Sequence, residues 1–534
     1  MSKIPSIFQN VRSNKPPRTS FDLGHEVKMS MKIGNLVPFF CQEVVPGDTF
    51  SMQSEIFTRM APLIAPVMHR MNVYTHFFFV PNRLVWNEWQ DFITGGDDGK
   101  QQPVHPSIDL NIIDLDRYSK GSLADYLGVP PQTETDTYHI NALPFRAYQE
   151  IYNEYYRDQN LEDKVEYSKA SGESTYDDAM LITQLRKRAW EKDYFTSALP
   201  NTQKGDEVLL PLAGTLDVTL ENGTQQYMRK VDGSNPAHGG SMGVVIPGDA
   251  TKSWLANDNI PSEPLNLDPN GSLKVDLGET TATTINDLRE AFAVQRWMER
   301  LMRGGSRYIE VIKSFFGVTS SDARLQRPEY LGGGKNPIVI SEVLQTSSTD
   351  ATSPQGNMAG HGVSYGGSNG FRKYFEEHGF VIGIISILPR TAYQQGLHKQ
   401  FRKFDRFDYY WPSFAHLGEQ PVTNDELFFQ CNQGEAPGSV NIATFGYQSR
   451  YAEYRYISSR VAGDMRDTLL HWHMGRTFSA LPSLNENFIK YDLVKRNFAV
   501  NSEEYDEVYV QIYNNLVATR PMPFEAEPGL IDHY

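Results

Sequence analysis

The chain has 534 residues, 40% hydrophobic and 22% charged, which supplies a large core and excludes a disordered polymer. A net charge of −15 excludes a protein that coats nucleic acid through its overall charge, and two cysteines without C-x-x-C spacing exclude a disulfide framework. The longest apolar run, Phe380–Leu388, is far short of the roughly 20 residues of a membrane helix, and the first residues lack a signal-peptide core, so a soluble protein of a reducing compartment is expected.

Residues 1–20 carry Lys3, Arg12, Lys15 and Arg18 with no acid, and Pro5, Pro16 and Pro17 bar a regular helix. This is an extended basic arm, either frayed in solvent or laid on a polyanion. Asn72–Val80, rich in aromatic and β-branched residues and stopped by Pro81, is expected to be a strand buried on both faces. A helix over Leu84–Ile93, ending at Gly95-Gly96, should follow. Phe145, Tyr148, Tyr152, Tyr155 and Tyr156 recur at helical spacing and are read as core. Residues 150–180 hold nine acids and three bases and are read as a solvated surface.

Between 200 and 283 the texture becomes short β-runs, with Asn222-Gly223 and Asp268-Pro-Asn-Gly271 as tight-turn signals and glycine-rich connectors around His238. A helix capped by Thr284 and Asp287, with Ile285, Leu288, Phe292, Met298, Leu301 and Met302 on one face, ends at Gly304-Gly305. A second runs Tyr308–Phe316 with Gly317 as its stop. Ser347–Gly370 reads as a long Gly/Ser/Pro loop, and Phe380–Leu388, Tyr451–Ile457 and Val508–Tyr513 as strands. Short strands among long loops, without a β-α-β rhythm, point to a mainly β sandwich with large insertions.

Catalytic motifs are thin. Gly362-Val-Ser364-Tyr-Gly366 matches the nucleophile elbow but sits in loop-like sequence, which leaves a serine hydrolase using Ser364 as a weak alternative and a carbohydrate-binding sandwich as another. Leu331–Lys335 lacks the first glycine and the hydroxyl residue of a phosphate loop. His471 and His473 could share one strand face, yet no third zinc ligand stands at motif spacing. No catalytic residue, metal site or cofactor is assigned. Lys399, Arg402, Lys403 and Arg406 interleave with Phe401, Phe404, Phe407, Tyr409, Tyr410 and Trp411. That mixture suits a single-strand stacking surface or a subunit interface, and Asp405 and Asp408 tilt it toward an interface centred on Arg402, Arg406, Tyr409, Tyr410 and Trp411.

Several segments resemble the major capsid proteins of gokushovirus-type microviruses. They are Thr284-Ile-Asn-Asp-Leu-Arg-Glu-Ala-Phe292, Arg303-Gly-Gly-Ser-Arg-Tyr308 and Asp322-Ala-Arg-Leu-Gln-Arg-Pro-Glu-Tyr-Leu-Gly-Gly333. Further matches are His69–Tyr74 with Phe77–Pro81, Asp193–Pro200, Gln345–Thr349, and Arg520–Pro523 with Pro528–His533, in order along most of the chain. The resemblance implies an eight-stranded antiparallel jelly-roll β-sandwich with helix-bearing loop insertions. It divides the chain into a basic arm (1–20), jelly-roll strands with helical insertions (21–200), a variable β-rich insertion (201–283), and helices, remaining strands and tail (284–534). It implies no enzyme but a structural subunit of a T=1 shell around circular single-stranded DNA. That shell would hold about sixty copies in pentamers with threefold contacts.

Expected partners are then genomic DNA, a small basic DNA-binding protein, an internal scaffolding protein, a pilot or minor capsid protein, and a host surface receptor. The protein would sit in the virion, and in host cytoplasm during assembly. Lys3, Arg12, Lys15 and Arg18 become candidate genome contacts, and Asn222, Gly223, His238 and Asn270 mark a threefold protrusion contacting the host. Residues near Gly205–Thr283 depart most from the family pattern, and the tail Phe524-Glu-Ala-Glu527 is more acidic than usual.

Overall fold

The computed structural model describes residues 18–131, 136–206, 285–344 and 358–524, less 306, 435, 437, 493 and 501, together with residue 208 and six short strands between 207 and 284. Lys3, Arg12, Lys15, Asn222, Gly223, His238, Asn270 and the Thr284 cap lie outside the described residues. Two compact units divide the chain: Gln203–Leu301, and the rest.

In the larger unit, nine strands build one curled antiparallel sheet. They are β1 (Thr19–Asp22), β2 (His25–Met31), β3 (Val37–Val44), β4 (Thr49–Met60), β5 (Met71–Pro81), β6 (Glu329–Leu344), β7 (Met358–Tyr374), β8 (Gly379–Pro389) and β9 (Val508–Arg520). The order is β1-β9-β4-β7-β6-β5-β8-β3, with β2 also on β9. Strands β1 and β2 lie along the two ends of β9, Thr19 opposite Arg520 and Met31 opposite Val508, so nine strands fill eight positions. β6 joins the leaves: Glu329–Ile338 pairs with β5 and Val339–Leu344 with β7. This is the jelly-roll sandwich expected, continuous through β6.

The core follows from the strand patterns. β4 and β9 alternate buried and exposed residues, presenting Phe50, Met52, Ile56 and Met60 beside Val508, Val510, Ile512 and Leu516 to the interior. Across from them lie Met71, Val73, Phe77 and Phe79 of β5 and Val381, Ile385 and Ile387 of β8. The opposite face of β5 and β8 (Phe78, Val80, Ile382, Ile384) is covered by helix α1 (Leu143–Ile151) and its neighbours, so both strands are buried on both faces. Phe145, Tyr148 and Tyr152 enter that second core, and the helix continues through one wider π-type turn over Tyr152–Tyr156.

Several expectations are corrected. Residues 150–180 are only partly a solvated surface: Glu150 and Glu162 are buried, accepting hydrogen bonds from the Tyr167 and Tyr152 hydroxyls. The Leu84–Ile93 helix is split into Asn82–Val85 and Trp89–Thr94, with Gly95 at φ 80° as the stop. From Met358 onward the presumed loop is strand β7. Its glycines allow close approach: a Cβ on Gly370 would lie 2.2 Å from the Met52 carbonyl oxygen, and one on Gly362 2.6 Å from the Met60 sulfur. Tyr451–Ile457 is not a strand, because Tyr451 sits at φ 62° with its N–H donated to Gln420 Oε1, opening a short 3₁₀ turn.

In the smaller unit, Val218–Leu220 pairs with Leu273–Val275, Met228–Lys230 with Leu265–Leu267, and Val244–Val245 with Trp254–Leu255. The strands flanking Asn222-Gly223 therefore do not pair with each other, nor do those flanking Asp268–Gly271. The three pairs nest one inside the next, with Val244–Val245 and Trp254–Leu255 innermost. A turn signal constrains only its own residues, not which strands its neighbours pair with. Helix α2 (Ile285–Gly304) follows, and in the larger unit α3 (Tyr308–Phe316) ends at Gly317 with φ 70°.

Candidate functional site: exposed assembly surfaces

Residues 399–414 form three short 3₁₀ turns, Lys399–Arg402, Arg406–Asp408 and Pro412–Phe414, with no strand to hold them. Their bases hold them instead. Lys399 Nζ lies 3.5 Å from Glu426, Arg402 Nη1 2.8 Å from Asp425 and Lys403 Nζ 3.1 Å from Glu453, and all three carboxylates are buried. Arg402 also donates to Thr423 Oγ1 at 2.6 Å, and Lys403 stands 3.8 Å from the centre of the Tyr454 ring. Burial opposes the Lys403 charge, but the Tyr454 hydroxyl and Glu453 carboxylate outweigh it and hold its pKa above the ordinary lysine value. Backbone N–H groups of Asp405 and Phe404 bind Asp408 and hold its carboxyl below the usual range.

With Lys399, Arg402 and Lys403 turned inward, the rings are left outside. Phe401, Phe404, Phe407, Tyr409, Tyr410 and Trp411 are between 45% and 82% exposed, with Tyr454, Tyr456 and Ile457 also exposed. Arg406 lies over Phe407 at 4.7 Å, and Trp411 Nε1 donates to the Arg406 carbonyl at 2.8 Å. Apolar rings in this number on open surface are the composition of buried interface centres, not of ordinary monomer surface. Phosphate neutralisation is poorly served here, because Lys399, Arg402 and Lys403 already face buried acids.

A second surface was not singled out in the sequence. The outer face of the β2-β9-β4-β7 leaf places Lys28, Gln511, Phe57 and Tyr365 in one row across the strands, and Ser30, Tyr509, Arg59 and Val363 in the next. Phe57, Tyr365 and Tyr509 are exposed, and Arg59 lies over Phe57 at 5.9 Å. The alternation of Thr49–Met60 carries the signal that would have found it. Further exposed rings stand on α2 (Phe292, Trp297) and on α3 (Tyr308, Phe316), so the apolar face read for α2 is not wholly core.

The other motifs carry no chemistry. Ser364 is buried in mid-strand β7 and donates to the Pro337 carbonyl at 2.8 Å, so it is neither on a sharp turn nor beside a base. Leu331–Lys335 lies in β6, and Lys335 Nζ is 2.7 Å from Glu191. His471 belongs to a 3₁₀ turn rather than a strand, while buried His473 pairs with the Met465 carbonyl at 2.7 Å and accepts from Gly475 N–H at 2.9 Å. Burial lowers the His473 pKa, keeping it neutral. Arg18, the one described base of the arm, donates to the Gly47 carbonyl at 2.6 Å and to Thr49 Oγ1 at 3.0 Å, and lies over Tyr374 at 5.6 Å.

A jelly roll carrying several exposed aromatic surfaces is the build of a shell-forming structural protein. A family model described as "Capsid protein (F protein)" matches residues 9–530. Among curated proteins, capsid protein VP1 of Chlamydia phage 1 is 38% identical over 592 residues, covering 99% of each chain. VP1 of Bdellovibrio phage phiMH2K is 38% identical, covering 99% of this chain and 98% of its own. VP1 of Spiroplasma virus 4 is 31% identical, covering 98% and 97%. The chain belongs to this phage capsid protein family, among the gokushovirus-type microviruses. Its role is structural rather than enzymatic, it assembles with itself into a capsid, and its place is the virion.

Proposed function

We propose that the protein is the major subunit of a T=1 shell, about sixty identical copies enclosing a circular single-stranded DNA genome. The observation that supports this most directly is the exposed ring surface of residues 401–411, held rigid by three ion pairs to buried carboxylates. Arg402, Arg406, Tyr409, Tyr410 and Trp411 are assigned to a contact between neighbouring copies. Tyrosine, tryptophan and arginine are the side chains that dominate such contacts.

Subunits carrying −15 each cannot neutralise packaged DNA by themselves. The basic arm residues Lys3, Arg12 and Lys15 therefore face the genome, with Arg18 anchoring the arm to the sheet, and a separate small basic protein supplies further positive charge. A scaffolding protein and a pilot protein assist in host cytoplasm. The insertion around Asn222, Gly223, His238 and Asn270 forms the threefold protrusion and contacts the host receptor, since loops raised on a rigid scaffold carry recognition.

Electron microscopy of the purified protein tests the shell. Closed particles of uniform diameter are expected, and a soluble monomer under all assembly conditions would refute it. Removing residues 1–17 should lower packaged DNA while empty shells still form, and exchange of residues 205–283 with a relative's insertion should alter adsorption without stopping assembly. Normal packaging or unchanged adsorption would overturn the respective assignment.

A further inference from the structure

Ser107–Asp109 and His139–Asn141 form an antiparallel pair in which Asp109 and His139 are direct register partners, and Glu173 joins through a parallel bridge to Ser107. Opposed residues, and residues two apart, put their side chains on one face. There one carboxylate oxygen of Asp109, one of Glu173 and one imidazole nitrogen of His139 all lie within 4.8 Å of one another.

The hydrogen bonds of the fold use only part of this group's donor atoms. Asp109 is 6% exposed, and its Oδ1 accepts the backbone N–H groups of Asn111 at 3.0 Å and Tyr138 at 3.2 Å. Among the described residues its Oδ2 accepts no hydrogen bond, and neither Asp109 nor Glu173 has a Lys or Arg within ion-pair distance. His139 Nε2 lies 3.5 Å from Glu173. Two carboxylates converging on one point repel unless a cation stands between them.

We propose that Asp109, His139 and Glu173 bind a divalent metal ion of the zinc or manganese class. One imidazole nitrogen with two carboxylate oxygens suits these ions, whereas calcium needs six to eight oxygens. Donors about 2.0–2.2 Å from a shared ion stand no more than about 4.4 Å apart, so a small closure of two half-exposed side chains completes the set. Water fills the remaining positions. The ion acts as a clip, fastening the Glu173 segment to the strand pair that packs beneath the second core.

The test uses the purified full-length protein, stripped with chelator and titrated separately with Zn²⁺, Mn²⁺ and Ca²⁺. Bound metal per chain is measured after desalting, and Mn²⁺ is followed by electron paramagnetic resonance. We expect one Zn²⁺ or Mn²⁺ per chain, with Ca²⁺ at least about tenfold weaker. His139→Ala/Glu173→Gln, which changes two exposed side chains and spares the turn bonds of Asp109, should assemble like the parent and lose the ion. His139→Cys should keep Zn²⁺ and lose Mn²⁺, because thiolate is a soft ligand. Absence of saturable one-to-one binding, or equal binding in the double variant, would overturn the proposal.

Discussion

Acidification should destabilise the subunit through His76, and the size of the effect follows from its surroundings. His76 on β5 contacts the rings of Phe78, Tyr156 and Tyr330, with Nδ1 2.7 Å from the Tyr156 hydroxyl. Burial, reinforced by the nearby Arg188 guanidinium, lowers its pKa from the ordinary 6.5 to about 4. Above pH 6.5 the imidazole is neutral in both folded and unfolded chains and contributes nothing to pH dependence. Between 6.5 and about 4 the unfolded chain takes up a proton that the folded chain refuses, so stability falls as pH falls. Below about 4 both states are protonated and the loss stops. At about 1.36 kcal/mol per pH unit the full loss is at most about 3 kcal/mol, and about 2 kcal/mol is gone by about pH 5. Urea unfolding followed by tryptophan fluorescence, at steps from about pH 7 to about pH 5, measures it. The comparison is His76→Gln, which retains a bonding partner for Tyr156 and cannot titrate. The variant should lose about one proton's worth of slope, while contributions from His69, His473 and carboxylates cancel in the difference. Identical slopes in parent and variant would refute the reasoning.

Three other outcomes are expected. Gly370→Ala should abolish soluble, folded protein, because its Cβ would meet the Met52 carbonyl at 2.2 Å, whereas Gly367→Ala, whose nearest neighbour is 3.8 Å away, should be tolerated; expression and circular dichroism separate them. Lys403→Met should cost about 3 kcal/mol or more by leaving Glu453 buried and unpaired, and adding Glu453→Gln should restore part of it in denaturant titrations. Trp411→Ala with Tyr410→Ala should leave subunit folding intact and reduce particle yield on sizing columns at least about tenfold, since truncating each interface anchor costs about 2 kcal/mol and the loss repeats at every contact.

Where local pattern and tertiary burial agree, the sequence was legible. Asn72–Val80 read as a strand buried on both faces, and Phe380–Leu388 as a strand, because sandwich core and helical cover both demand apolar residues there. β7 was missed because its glycines, which look like loop punctuation, serve close strand contact instead. Tyr451–Ile457 misled because its rings suit a strand, and only the Gln420 side chain, distant in sequence, fixes the backbone as a turn. The 401–411 rings were legible by composition, but the commitment of Arg402 and Lys403 to buried acids was not, since Asp425 and Glu453 are ordinary acids until folded. The outer-face row of Lys28, Phe57 and Tyr365 exists only through register between strands hundreds of residues apart.

Along β9, Ser20 and Thr519 exchange a hydroxyl contact of 2.8 Å across 499 positions of sequence. Translation therefore makes the seat of β1 only 499 positions after Ser20. Before β9 is made, β4 lacks the neighbour that completes its leaf. A polypeptide that stops short of β9 leaves one edge of β4 bare and gives β1 and β2 no strand to pair with.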